Sequence, residues 1–359
     1  MRAARMTKAA ALLLAGSLAL AACASDEGSG SGGSGGDNAS ETIKVGLAYD
    51  TGGRGDRSFN DSAYAGVEAA VEELGGDPSE DIQEVSPNDD GSNRAELLSN
   101  LAEQGFNPVI AVGFAYDEVL GEVAAEFPDT TFAQVDGSVD FPEFKGDNVT
   151  GLLFAEHEGS FLAGVAAALK TSTGTVGFVG GVDTQLIQKF QAGYEAGAKA
   201  AKPDITVISQ YITPDGDFTG FSDPARGKIV AQGMFEAGAD IVYHAAGGSG
   251  TGVFEAAAAA NGRAIGVDSD QYNTVDDPAL QAVIMTSMLK RVDNAVAAFI
   301  ADFADGKVEG GTDVINDLST EGVGLSTSGG FIDDIQDDID SFRQKIIDGE
   351  IEVPTTPTS

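Results

Sequence analysis

The chain has 359 residues, room for about two domains at ~150 residues each, and 42% of it is hydrophobic, enough for real cores. Twenty Lys and Arg against 57 Asp and Glu leave a net charge of −37, which argues against nucleic acid as a partner and against basic-patch binding to an anionic membrane surface. One Cys cannot form an internal disulfide, and two His beside it leave too few ligands for an all-nitrogen-and-sulfur zinc site.

The chain opens on an address. Arg2, Arg5 and Lys8 make a positive start, and 9–20 is an apolar run of signal-peptide length, short for a permanent span. It ends in Leu20-Ala21-Ala22-Cys23, which resembles a bacterial lipobox. This predicts a signal peptide over 1–22 whose removal leaves a lipidated Cys23. The chain is then anchored to the extracytoplasmic face of the cell membrane rather than spanning it. A plain signal peptide, with small residues before its cleavage site, is the alternative. Residues 23–41 read as a flexible Gly/Ser tether, too polar to bury a core.

From residue 42 short apolar runs alternate with Ala-rich amphipathic ones. Strands are expected near 43–49, 82–85, 109–112, 131–135 and 149–154. Helices are expected from 60 or 61 to 74, then near 93–104 and 117–126. The rhythm restarts with a helix over 157–169, a strand over 175–179, a helix over 186–201 and a strand over 206–211. A helix near 225–237, a strand over 241–243, a helix near 252–260 and a strand over 264–267 follow, then a strand over 283–286 and a helix over 289–303. Apolar strands separated by helices argue for an α/β protein with parallel sheets covered on both faces. Two blocks of similar size imply two Rossmann-like lobes. The first takes 42–155 plus about 283–306, the second 156–282 plus about 307–349. The polar, Pro- and Thr-rich tail over 350–359 is expected to be disordered.

In open α/β sheets ligands bind beyond the carboxyl ends of the strands. Those ends carry Asp50, followed by a loop to Phe59 and Asn60; Asp136-Gly137; the Gly-rich run 245–250; and Asp268-Ser269-Asp270. The Gly-rich run leads into a helix, as phosphate cradles do, but no Walker lysine follows and the nearby carboxylates would repel phosphate. A neutral, hydroxyl-rich ligand fits better, since carboxylates accept well from paired hydroxyls. His157 and His244 are the only histidines, and a structural role fits His244 better than catalysis. No Ser nucleophile elbow occurs, and Asp276-Asp277 and Asp333-Asp334 lack EF-hand spacing. The residues call for no metal and no cofactor.

Taken in order, these pieces resemble the BMP (basic membrane protein) family of nucleoside-binding lipoproteins over roughly 43–305. The resemblance rests on the lipobox and on Asp50…Asp56-Arg57-Ser58-Phe59-Asn60. It rests also on Glu156…Glu158-Gly159-Ser160-Phe161, Phe190-Gln191-Ala192-Gly193-Tyr194, Phe221-Ser222-Asp223-Pro224, Ala246-Gly247-Gly248-Ser249-Gly250, Ile265-Gly266-Val267-Asp268-Ser269-Asp270-Gln271 and Thr286-Ser287-Met288-Leu289-Lys290. It implies a type I periplasmic-binding fold with three crossing segments and a hinged cleft. It also implies a receptor, not an enzyme, that delivers purine nucleosides to the permease and ATPase subunits of an ABC importer. By the same resemblance Phe59 and Phe221 sandwich the base, with Phe218 a rival for the second ring. Asn60 and Asp136 bond the base, with Asp50 beside Asn60 or simply capping its turn. Asp268 and Lys290 hold the ribose, and Gly247 and Gly248 let backbone approach the ligand. Lys290 as an ordinary exposed lysine at a helix start is the bland reading. Arg54 and Arg57 depart from the family pattern. The alternatives are a receptor for a sugar or another small polar metabolite, an extracytoplasmic nucleoside hydrolase or glycosidase, and a signalling lipoprotein without transport.

Overall fold

The computed structural model describes residues 43–140 and 147–357. The expected signal peptide, Cys23 and the tether lie outside the described residues. Elements follow in chain order: β1 (Val45–Ala48), α1 (Phe59–Glu73), α2 (Pro78–Asp81), β2 (Ile82–Val85), α3 (Arg94–Glu103), β3 (Val109–Val112), α4 (Asp117–Glu126), β4 (Phe132–Val135) and β5 (Val149–Phe154). Then come α5 (Glu156–Lys170), β6 (Thr175–Val182), α6 (Gln185–Ala201), β7 (Thr206–Thr213), α7 (Pro224–Glu236), β8 (Ile241–Ala245), α8 (Gly250–Ala260), β9 (Arg263–Asp268), α9 (Gln271–Thr274), α10 (Pro278–Gln281) and β10 (Ile284–Lys290). The chain ends with α11 (Val292–Ala304), β11 (Thr312–Asn316), β12 (Val323–Leu325) and α12 (Gln336–Ile347).

The strands form two six-stranded sheets. Their orders are β11-β5-β4-β3-β1-β2 and β12-β10-β9-β8-β6-β7. Every pairing is parallel except β10 with β12. The central strands β1, β3 and β4 are buried along their whole length, as strands covered by helices on both faces must be. The order of β1 to β5 in one sheet repeats as β6 to β10 in the other, so the lobes are two windings of one pattern.

Three segments carry the chain between lobes: β5 to α5, β10 to α11, and β11 to β12. They are tied to one another. Ala155 N–H donates to the Asn316 carbonyl, and Arg291 N–H donates to the Gly322 carbonyl, both at 2.9 Å. The helix after the second crossing returns to the first lobe. There Gly66 of α1 lets α11 approach so closely that a Cβ would lie 2.3 Å from the Asp293 carbonyl.

The lobe boundaries differ from the sequence expectation. The strand expected over 283–286 runs on to Lys290 and belongs to the second sheet, paired with β9, so 283–290 is not part of the first lobe and 289–290 is not helix. The polar Thr286 and Ser287 made that strand look finished. Both are buried and satisfied instead: Thr286 Oγ1 donates to the Ser326 carbonyl, and Ser287 N–H donates to Ser326 Oγ. β11, within the span assigned to the second lobe, extends the first sheet beside β5. It is a short edge strand with Val314 and Ile315 exposed, so no apolar-polar alternation marks it in the sequence; Asp313 ties it down by accepting from Ser138 Oγ and Val139 N–H. The tail is not free along its described part. Val353 is buried in the core cluster and Ile351 packs against it.

Candidate ligand-binding cleft

The carboxyl ends of β1, β4, β8, β9 and β10 converge on one cleft between the lobes. It holds about 550 Å³ of empty space, open mouth included. Asp50, Phe59, Asn60, Asp136, Phe221, Gly247, Asp268 and Lys290 all line it. The structure thus brings together these eight residues, which the resemblance assigned to the ligand. Phe218 is the exception among the rivals. It does not line the cleft but stands behind the lining residue Phe114, edge-on to it at 5.7 Å, with the Arg94 guanidinium over its own ring.

The first wall is the loop between β1 and α1. Asp56 caps α1: its carboxylate accepts from the N–H groups of Ser58, Asn60 and Asp61 and from Asn60 Nδ2. Asn60 Oδ1 in turn accepts from the Asp50 N–H at 3.0 Å. Burial pushes the Asp50 carboxyl up to about 6, against the lowering effects of the Thr51 N–H and Arg94, whose guanidinium lies 3.7 Å away. Phe59 starts α1 at the edge of this network.

The second wall comes from the other lobe. Phe221 closes a short 3₁₀ turn (Phe218–Phe221), and its ring lies over Gly181, where a Cβ would fall 2.5 Å from a ring carbon. Ser249 fixes that turn to the Gly-rich loop, donating to the Gly220 carbonyl and accepting from Asp223 N–H. Gly247 sits at φ +52°, a left-handed turn that brings backbone to the cleft. Three side chains of α6, Leu186, Ile187 and Phe190, complete the apolar surface.

Between the walls sit the charges. Asp136 and Asp268 occupy equivalent strand ends in the two lobes, at φ +65° and +64°. The Lys290 ammonium lies 2.6 Å from the Asp136 carboxylate, 3.3 Å from Glu156 Oε1 and 5.0 Å from the Phe59 ring centre. Lys290 is 1% exposed and ends a strand, so it is no surface lysine at a helix start. Burial pushes its pKa down, but Asp136, Glu156 and Asp268 more than offset that and hold it above the ordinary lysine value. Asp268 is raised to about 7 by burial, against Lys290 and the Ser58 hydroxyl that donates to it. The direct partners of Lys290 are Asp136 and Glu156, while Asp268 reaches it only through space.

Asp56, Phe114, Glu156 and Phe190 were not assigned a site role from sequence. Asp56, Glu156 and Phe190 stand in the quoted runs, yet only their partners in space give them meaning. His244 does not line the cleft. It is wholly buried under Gly250 and edge-on to Phe254 at 5.0 Å, and burial pushes its pKa down to about 3, leaving a neutral ring. Among the described residues no group of three or more His, Cys, Asp or Glu could hold a metal ion. Acceptor-rich carboxylates, one neutralising lysine and aromatic walls suit an uncharged ligand with a flat ring and several hydroxyl or amine donors.

The family model described as "ABC transporter substrate-binding protein PnrA-like" matches residues 43–357. The chain is 34% identical to the "CD4+ T-cell-stimulating antigen" of Listeria innocua, over 97% of this chain and 98% of that one. It is 34% identical to the "ABC transporter nucleoside-binding protein BmpA" of Lactococcus lactis, over 98% and 99%. Among solved structures, a solute-binding protein of an Aeropyrum pernix ABC transporter system superposes with a TM-score of 0.74 at 30% identity, covering 88% of this chain and 94% of that one.

Proposed function

Since the chain belongs to the Bmp family of PnrA-like ABC-transporter substrate-binding proteins, with their type I periplasmic-binding architecture, we propose that it captures nucleosides, purines foremost, and delivers them to an ABC importer. The matched family and the Lactococcus relative are solute-binding proteins, not enzymes, and capture without turnover is the chemistry this site supports. The observation that carries the reading is an aromatic ring from each lobe, Phe59 and Phe221, lining one cleft with strand-end carboxylates between them.

Stacking on a ring is worth ~1–3 kcal/mol per base and tolerates different bases. Asn60, Asp50 and Asp136 supply polar groups for the base edge. Asp268, with the positive field of Lys290 behind it, accepts from the paired ribose hydroxyls. Gly247 gives the ligand close access to backbone. The lobes close because the closed state makes ligand contacts that the open state lacks. A lipid on Cys23 would keep the receptor at the outer face of the membrane, within reach of the permease and ATPase subunits.

Calorimetric titration with adenosine, guanosine, inosine, cytidine, ribose and ATP tests this. Purine nucleosides are expected to bind tightest, ATP not at all, and Phe59→Ala to weaken nucleosides ~5- to 150-fold. Binding of ribose alone would replace the reading with a sugar receptor, and recovery of free base would replace it with a hydrolase.

A further inference from the structure

Gln271, the first residue of α9, is 2% exposed and is not part of the cleft lining. Its carboxamide spans from one lobe to the other. Oε1 accepts from the Val267 N–H at 2.9 Å, just before the cleft residue Asp268. Nε2 donates to the Arg57 carbonyl of the first lobe at 3.1 Å. Both ends are prepared. Gly266 leaves room for the carboxamide, since a Cβ there would fall 2.6 Å from Oε1. Arg57 adopts φ +57°, held there by the Asp61 carboxylate on its N–H, and this turns its carbonyl toward the second lobe.

The same seam carries further bonds between the lobes. Thr274 Oγ1 donates to the Arg57 carbonyl at 3.3 Å, Ser269 Oγ donates to the Ser58 carbonyl at 3.0 Å, and the Arg57 guanidinium meets Asp276 at 2.6 Å. Gln271 is 2% exposed, and Ser58, which bonds across the seam to Asp268, is fully buried, so opening the lobes strips both of partners that water must then replace. The exposed Arg57–Asp276 pair is the weaker member because solvent screens it. Ligand and seam share Asp268, which accepts from Ser58 of the first lobe.

We propose that Gln271 is a positioning residue that staples the lobes over bound ligand and sets how long the closed state lasts, without touching the ligand. This rests on the receptor reading above. A contact made only on closure strengthens every ligand by the same factor, and that factor appears chiefly in the off-rate. Ligand choice stays with the cleft side chains.

Gln271→Glu keeps the shape and the Val267 bond but sets an oxygen against the Arg57 carbonyl. In stopped-flow displacement it is expected to release adenosine, guanosine and inosine roughly tenfold faster, by a common factor, with their ranking unchanged. Spin labels on Glu80→Cys and Asp204→Cys, in a Cys23→Ser background, are expected to show the lobes of the ligand-free protein further apart in that variant. An unchanged off-rate in a folded variant would overturn the proposal. So would factors that differ between ligands, which would place Gln271 among the recognition groups. Thr274→Val, on the same carbonyl near the surface, is expected to act in the same direction more weakly; if Gln271→Glu fails to fold, an unchanged off-rate for Thr274→Val overturns the staple. Should the protein bind no nucleoside, the receptor reading fails, while the label distances without ligand still decide the staple.

Discussion

Lys290 illustrates what a buried charge demands of its surroundings. Its side chain is 2% exposed, and those of Asp136 and Glu156 are 4% and 1% exposed, so none of the three can fall back on water. Lys290→Met should therefore strand the Asp136 carboxylate, leave Glu156 only the Lys189 ammonium at 3.7 Å, and cost about 3–5 kcal/mol of stability in urea unfolding. Adding Asp136→Asn and Glu156→Gln should recover most of that loss; a single mutant as stable as the parent would mean the trio is not coupled. Asp136 and Asp268 were legible in the sequence because they sit just past apolar runs, where an α/β sheet puts its ligand; Lys290 was reached only through the family resemblance, since its strand was expected to end at 286. Glu156 and Asp56 were not, since one answers to a lysine far down the chain and the other spends its carboxylate on the N–H groups of α1. Phe221 against Phe218 was open for the same reason. Both lie in one short polar loop, and only packing on Gly181 aims the first inward.

Helix packing in this protein depends on missing side chains. Along the α5–α6 contact, a Cβ on Gly164 would lie 2.1 Å from the Tyr194 carbonyl, one on Gly193 2.0 Å from His157 O, and one on Gly197 1.9 Å from Phe161 O. An isolated helix would gain up to about 1 kcal/mol from Gly→Ala. Here Gly197→Ala forces backbone against backbone, and a net loss of about 1–3 kcal/mol is expected by chemical denaturation. A gain would show that the helices can slide apart at no cost. Most elements were readable from their period: β2, β3 and β5 fall on the residues expected for them, and α3 runs out just before Gly105. Of the elements after 283, α11 answers to the helix expected over 289–303, but the second half of β10 and all of β11 were not readable. β10 hides buried hydroxyls whose partner is Ser326, and β11 is a short edge strand that leaves Val314 and Ile315 exposed, without the alternation of a half-buried strand. In both, long-range pairing overrides local pattern.

For the molecule as a whole, pH is the informative variable. Asp50, Asp117 and Asp268 have folded-state pKa values raised by burial to about 6, 7 and 7. Their contribution is complete below the ordinary carboxyl range and is lost as pH rises through 6 to 7. The melting temperature should thus rise as pH falls from 8 toward 6.5, and Asp268→Asn should flatten the slope. Below that, the depressed pKa of buried His244 opposes further gain, since the unfolded chain protonates first. A melting temperature that drops between pH 8 and 6.5 would contradict the buried-carboxylate picture. The crossings have a different consequence, one of timing. Neither lobe is an unbroken stretch: α11 brings Val296 and Ile300 back to the first after five strands of the second sheet have been laid down, and α12 brings Ile339 and Ile346 to the second later still. A chain emerging from the ribosome carries two unfinished cores until α11 and α12 have been made. An export channel that accepts only unfolded polypeptide would find it in that state throughout synthesis.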